Sequence, residues 1–263
     1  NSHFSTSLLT LPDAIQQGLD VAAEEIRQAM GDDALYRQEF LCEFLDEATA
    51  FLTYDQIAAC ADSTLSVYST VGPLTHESRE LFVGVDVGRV RDLTVIWVLA
   101  SIGPIGPMDT VALIELSNTP FRTQFDLLSE LLSVRRVRRC CIDAGGIGMQ
   151  LAEQCVERFG AHRVEPITFT AALKSQMASA LRIAVEERRI RIPVDDHIRN
   201  DWHSVERTLT ESGHFRLSAS RQEGSHADRF WAAALSLHAT ETATGRAEHR
   251  TIGPMQFART GTW

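Results

Sequence analysis

The sequence predicts an α/β protein: a mixed sheet of three antiparallel strands followed by parallel strands, with helices on both faces. Three observations predict it. Three strand-like runs follow one another within residues 81–116 with no helical pattern between them. From residue 120 onward, helical and strand-like runs alternate, and an apolar helical run near 227–240 then returns toward the sheet. At 263 residues the chain is long enough for one large core with a smaller attachment.

Ahead of the sheet, residues 11–30 and 35–51 carry apolar side chains at helical intervals without an independent core. The first residue is not Met, and the expectation is a fragment of a longer polypeptide. The Gly, Pro, Ser and Thr content of residues 66–80 reads as a linker. The predicted organisation is therefore a helical segment over 1–75, the sheet domain over 76–242 and a flexible tail over 243–263. In the sheet domain LFVGVDVG (81–88), LTVIWVLASI (93–102) and DTVALIEL (109–116) are rich in β-branched and aromatic residues, as strands are. A helix over 120–134, a buried strand RRCCIDA (138–144), a helix over 147–159 and a strand RVEPITF (163–169) follow. A long helix over 171–189, a short strand over 190–193, a helix over 196–209, a strand HFRLSAS (214–220) and the helix from 227 complete the order. That order is the ribonuclease-H-like one.

A hydrophobic share of 44%, with no unbroken apolar run of membrane-spanning length and no charged-then-apolar leader, predicts a soluble intracellular protein without a membrane partner. The five cysteines are odd in number and lack CxxC spacing, which suits reduced core thiols and argues against a zinc framework. A net charge of −10 argues against a protein that coats nucleic acid. It leaves room for an enzyme acting on DNA, because a metal-dependent site needs clustered carboxylates.

Asp86 and Asp143 each end an apolar strand, where an ionised carboxylate without a cation is costly. Asp228, on a helix, shares a face with Trp231, Ala232 and Leu235, so it points toward the sheet. If the first and fourth strands are neighbours, the three acids meet. Oxygen ligands without His or Cys suit hard ions, and two Mg²⁺ or Mn²⁺ ions about 3.5–4 Å apart would bridge a phosphodiester and promote its hydrolysis. Each acid alone has a plainer explanation: a strand-end acid bonded to turn amides, an Asx-turn before Gly145, and an acid favoured by a helix N-terminus. Their joint placement favours the metal site.

The stretches FVGVDVGRVRDLTVIWV, CIDAGGIGMQLAEQ and GSHADRFWAAALSLH together resemble the nuclease domain of phage terminase large subunits. YRQEFLCEFLDEATAFL resembles the segment that joins the terminase ATPase to its nuclease. The resemblance implies cleavage of concatemeric double-stranded DNA during packaging in the host bacterial cytoplasm, with two divalent ions on Asp86, Asp143 and Asp228. It also implies a terminase ATPase domain, a small terminase subunit and a portal as partners. Asp92 matches an additional acid of some relatives, and His226 is a candidate to position water or phosphate. Arg89 and Arg91, on the turn after the first acid, and Lys174, the only lysine, are candidate DNA contacts. Arg135, Arg136, Arg138 and Arg139 read as a solvated charge run. The sole lysine follows Leu173 rather than Gly, so no Walker A loop is present and ATP-driven motion would belong to other sequence.

Two rivals come from other classes. VGVDVGR and IDAGGIG resemble the phosphate loops of actin-like and sugar kinases, but Arg89 stands where those have Thr or Ser, and such a phosphotransferase gives Asp228 no task. ATP binding would separate the two. The other rival is a non-catalytic module that docks on the portal or small subunit, recognised by metal binding without cleavage. Holliday-junction resolvases, transposases and ribonucleases H share the same metal logic, so the packaging role rests on the resemblance alone.

Overall fold

The computed structural model describes residues 9–30, 36, 40–41, 50–88, 93–101, 106–209, 215–219 and 227–243. The helix expected over 11–30 is two, α1 (Leu11–Gln16) and α2 (Ala23–Met30), because Gln17 and Gly18 turn the chain between them. Thr10 and Asp13 form a capping box at α1, and Thr53 and Gln56 form another at α3 (Tyr54–Ala58). Most of the helix expected over 35–51, and all but the first residue of the tail expected over 243–263, lie outside the described residues.

Five consecutive residues of β1 (Glu80–Asp86) are buried, the mark of a strand covered on both faces. β1, β2 (Thr94–Ser101) and β3 (Met108–Leu116) form the antiparallel meander that the sequence predicts. After α4 (Phe121–Ser133), β4 (Val137–Asp143) returns parallel to β1. After α5 (Gly148–Phe159), β5 (Val164–Ile167) joins β4 in parallel. α6 (Ala171–Glu186) leads to β6 (Ile190–Arg191), which pairs in parallel with β3, so the sheet order is β5-β4-β1-β2-β3-β6.

Strand alternation sends Leu81, Val83 and Val85 to one face of the sheet, where Leu128, Leu131 and Leu132 of α4 and Leu151 and Cys155 of α5 cover them. Phe82 and Asp86 lie on the opposite face, beneath α6, α7 (Asp196–His203) and α8 (Asp228–Ala243). α8 runs against β1, with the Ser236 hydroxyl donating to Phe82 O at 2.9 Å. Between them Gly84 has no room for a side chain: a Cβ there would stand 2.1 Å from Ala232 O and 2.2 Å from Ser236 N. Glycine is what lets the helix backbone rest directly on the strand.

The helix expected over 196–209 is a misreading beyond residue 203. Ile198, Trp202, Val205 and Leu209 have helical spacing, yet the Ser204 N–H closes the last turn on Asn200 O and residues Val205–Leu209 form β7. β7 pairs antiparallel with β8 (Phe215–Ala219) in a two-stranded ribbon apart from the main sheet. Cross-strand pairing overrides the local pattern there.

The segment over 66–80 lies along the outer edge of β3. The Tyr68 N–H donates to Val111 O at 2.9 Å and the Leu113 N–H to Tyr68 O at 3.0 Å, while Val71 and Leu74 are buried. It thereby covers a sheet edge that would otherwise expose unpaired backbone groups. Cys60, Cys140, Cys141 and Cys155 are buried thiols outside any disulfide. No helix among the described residues is long and apolar enough to cross a membrane.

Candidate metal centre

Asp86 and Asp143 are the last residues of β1 and β4. These parallel strands pair through Val85 and Ile142, so the two acids stand one step further on, side by side at the carboxyl ends of their strands. The β4 end is shaped by the turn that follows. The Gly145 N–H donates to Asp143 Oδ1 at 2.8 Å, an Asx-turn, and the Ala144 N–H donates to Ile167 O. At Gly148 a Cβ would lie 2.0 Å from Asp143 O, so only glycine lets α5 begin that close to the strand end.

Asp228 opens α8 and is buried, as are Trp231, Ala232 and Leu235 on its helical face. Ala227, just before it, is buried with φ at +60°, a left-handed backbone that costs a non-glycine residue on the order of 1 kcal/mol. Strain of this kind beside a candidate site is retained because the surrounding contacts hold the helix start where it is.

The electrostatics tie these acids together. Burial pushes the Asp86 carboxyl well above the usual carboxylate range; the charges of Asp228 and Asp143 push it further, Asp201 adds to this, and Lys174 opposes it. Burial also raises Asp143, against the Gly145 N–H and Lys174. The Lys174 ammonium lies 4.7 Å from the Trp231 ring centre and 5.0 Å from that of Phe169, so two aromatic faces hold the cation beside the acids. Asp86 and Asp143 therefore share the charge of Lys174. Their carboxylate oxygens do not all lie within 4.8 Å of one another; among the described residues that closeness is reached by Cys141, Glu165 and His238.

Asp201 is the residue that sequence reasoning missed. It is buried on α7, accepts the Arg229 N–H at 2.7 Å and lies 3.9 Å from Arg229 Nη1, while Arg229 Nε donates to Glu115 at 2.6 Å. A carboxylate on the first turn of α8 complements its dipole and anchors the segment that carries Asp228. The signal was an acid inside the apolar stripe of α7, between Ile198 and Trp202, both fully buried. Arg89, Arg91, Asp92 and His226 lie outside the described residues. In the arginine run, Arg138 pairs with Glu80 and Arg139 with Glu165, well back along the strands from Asp86.

The family model for the terminase RNase H-like domain matches residues 83–240. The terminase ATPase subunit of Escherichia phage P2 is 25% identical over 243 residues, covering 88% of this chain and 40% of the phage protein. The chain thus spans well under half the length of that relative. The large terminase nuclease of thermophilic phage G20c, solved with bound magnesium, superposes with a TM-score of 0.57 at 20% identity over 73% of this chain and 97% of that one. The large terminase nuclease domain of Thermus phage P74-26 superposes with a TM-score of 0.54 at 18% identity over 70% of this chain and 92% of that one. These structures share the ribonuclease-H-like fold of the mixed sheet. With a family match extending from β1 through most of α8, the chain belongs to the terminase RNase H-like domain family.

Proposed function

We propose that the chain is a Mg²⁺- or Mn²⁺-dependent DNA endonuclease, the nuclease part of a terminase large subunit, which cuts concatemeric viral DNA during genome packaging. The observation that carries this reading is the crowding of Asp143 and Asp228 about Asp86 at the carboxyl ends of β1 and β4, with the charge of Lys174 set against it. Open α/β sheets bind their ligands at that end. Three crowded carboxylates supply oxygen ligands, which fit hard divalent cations.

When bound, the ions supply activation of water and neutralisation of charge on the departing 3′ oxygen. The chain's own residues do the positioning. Asp86 is fixed by its place in the middle of the sheet. The Gly145 N–H occupies one oxygen of Asp143 and sets the direction of the other. α8 aims Asp228, and Asp201 holds the first turn of α8 through Arg229. Lys174, restrained by Trp231 and Phe169, places positive charge beside the scissile phosphate. Arg89 and Arg91 contact the DNA backbone, and Asp92 and His226 assist in this proposal. Residues 1–75 come from the ATPase side of a longer polypeptide, 76–242 form the nuclease and 243–263 are a tail. The partners are double-stranded DNA, the ATPase domain, the small terminase subunit and the portal, in the host bacterial cytoplasm.

Plasmid cleavage tests the reading. Nicking or linearisation is expected with Mn²⁺ or Mg²⁺ and none with EDTA. Asp86→Ala or Asp143→Ala, folded as judged by circular dichroism, should lose nearly all of it. Undiminished cutting by either variant rejects the assignment.

A further inference from the structure

A second set of ligand-type side chains lies on the same face of the sheet, further back along the strands. Cys141 on β4, Glu165 on β5 and His238 on α8 each offer one ligand atom, and these atoms all lie within 4.8 Å of one another. Cys141 and Glu165 are direct partners in the β4–β5 register, with Sγ 3.8 Å from Oε2. A tetrahedral zinc site with its usual bond lengths has an S···O edge of about 3.6 Å, so this pair already stands near ligand spacing. His238 follows Asp228 by ten residues on α8, about 15 Å along the helix axis, which separates this group from the aspartates.

The surroundings are those of a supported site. Arg139 donates to Glu165 Oε2 from Nη2 at 2.6 Å and from Nε at 3.2 Å, and its Nη1 donates to His162 O at 3.0 Å, so the carboxylate is held in place. Glu241 Oε2 stands 4.0 Å from His238 Nδ1, a second carboxylate near the ring. Cys141 is fully buried, whereas the Glu165 and His238 side chains are 28% and 15% exposed and leave an entry path. A groove of about 310 Å³ between α6 and α8 has His238 and Glu241 on its wall.

We propose that Cys141, Glu165 and His238 form a second metal site, distinct from the aspartates, that takes Zn²⁺ or a similar borderline divalent cation and leaves its fourth position to water. Sulfur, nitrogen and oxygen donors together select such an ion over Mg²⁺. Without metal, the Cys141 thiol donates to Glu165. On binding, its S–H bond breaks, a sulfur–metal bond forms and the proton leaves to solvent. The bound ion ties α8 to β4 and β5, and so steadies the helix that begins at Asp228. CxxC spacing is absent because the ligands come from three separate elements.

The test is titration of the metal-free full chain with Co²⁺, read by absorption. One equivalent should produce the near-ultraviolet thiolate-to-cobalt band with tetrahedral visible bands, which Zn²⁺ abolishes and excess Mg²⁺ leaves in place. The band should vanish in Cys141→Ser, with Zn²⁺ affinity down by more than about a hundredfold. It should weaken in His238→Gln, the check should Cys141→Ser fail to fold, and persist in Cys140→Ser and in Asp86→Asn. Absence of a band in the wild type overturns the proposal, as does a full band in Cys141→Ser or in His238→Gln. Because the readout is spectroscopic, a chain that proved not to cut DNA would leave this result standing.

Discussion

Asp109 is the second residue of β3 and Asp86 the last of β1, and since both strands run against β2 these acids lie at opposite ends of one sheet. Asp109 is answered on both oxygens: Arg79 Nη1 donates to one at 2.6 Å and Arg191 Nε to the other at 2.7 Å. Arg79 also grips Glu77, whose carboxyl it holds down at about 2, and Arg191 reaches Asp62. Asp86 instead meets the charges of Asp228 and Asp143 with Lys174 as partial relief. The difference separates two uses of a carboxylate. A closed network of acids and guanidinium groups fixes the strand edge and needs nothing more. Acids that crowd one another are eased by holding protons or by taking up metal.

The sharpest way to break this comparison is to remove one acid from each end. Asp86→Ala or Asp143→Ala should lower plasmid cleavage by about 10³-fold or more. Asp109→Ala should leave the cleavage rate of the folded fraction within about twofold. Next comes Gly84→Ala. Its Cβ would overlap the backbone of α8, so a loss of about 3 kcal/mol or more is expected in urea unfolding, with cleavage falling too as Asp228 shifts. Asp109→Ala itself should cost about 1–3 kcal/mol, the lower part of the range for a broken buried pair because Arg79 and Arg191 remain partly hydrated.

Acid should act oppositely on the two ends. Asp86 and Asp143 are held above the usual carboxylate range, so the folded metal-free chain keeps protons that the unfolded chain has released. Their contribution to stability therefore falls as pH rises from the ordinary carboxylate value through their raised values, and returns on acidification. Glu77 is lowered from 4.5 to about 2, so its contribution is present above 4.5 and is lost as pH falls toward 2. Urea midpoints in EDTA between pH 4.5 and 7.5 should rise toward acid, and Mg²⁺ should flatten the trend. A midpoint that falls steadily toward acid in EDTA contradicts the assignment of the two ends.

Much of this was legible in the residues themselves. Apolar strands read clearly because both faces of the sheet are covered, and Asp86 and Asp143 stood out as acids closing such strands. Asp228 could be found from its spacing to Trp231 and Leu235. β7 was not legible, since Val205 and Leu209 extend the spacing of Ile198 and Trp202 and only pairing with β8 decides against helix. Asp201 gains its place from α7 meeting the start of α8, a contact 28 residues apart in sequence. Lys174 read as a phosphate contact, but its position over Trp231 and beside the acids depends on α6 and α8 packing together.

The most direct test of the central claim is thermal melting of wild type and Asp86→Asn at neutral pH, each in EDTA and in Mg²⁺. The account predicts that Asp86→Asn melts above wild type in EDTA, because the folded variant no longer has to take up a proton or crowd a charge there, and that Mg²⁺ raises the wild type while leaving the variant nearly unmoved. A variant that melts below wild type in EDTA, with Mg²⁺ raising both alike, would contradict it.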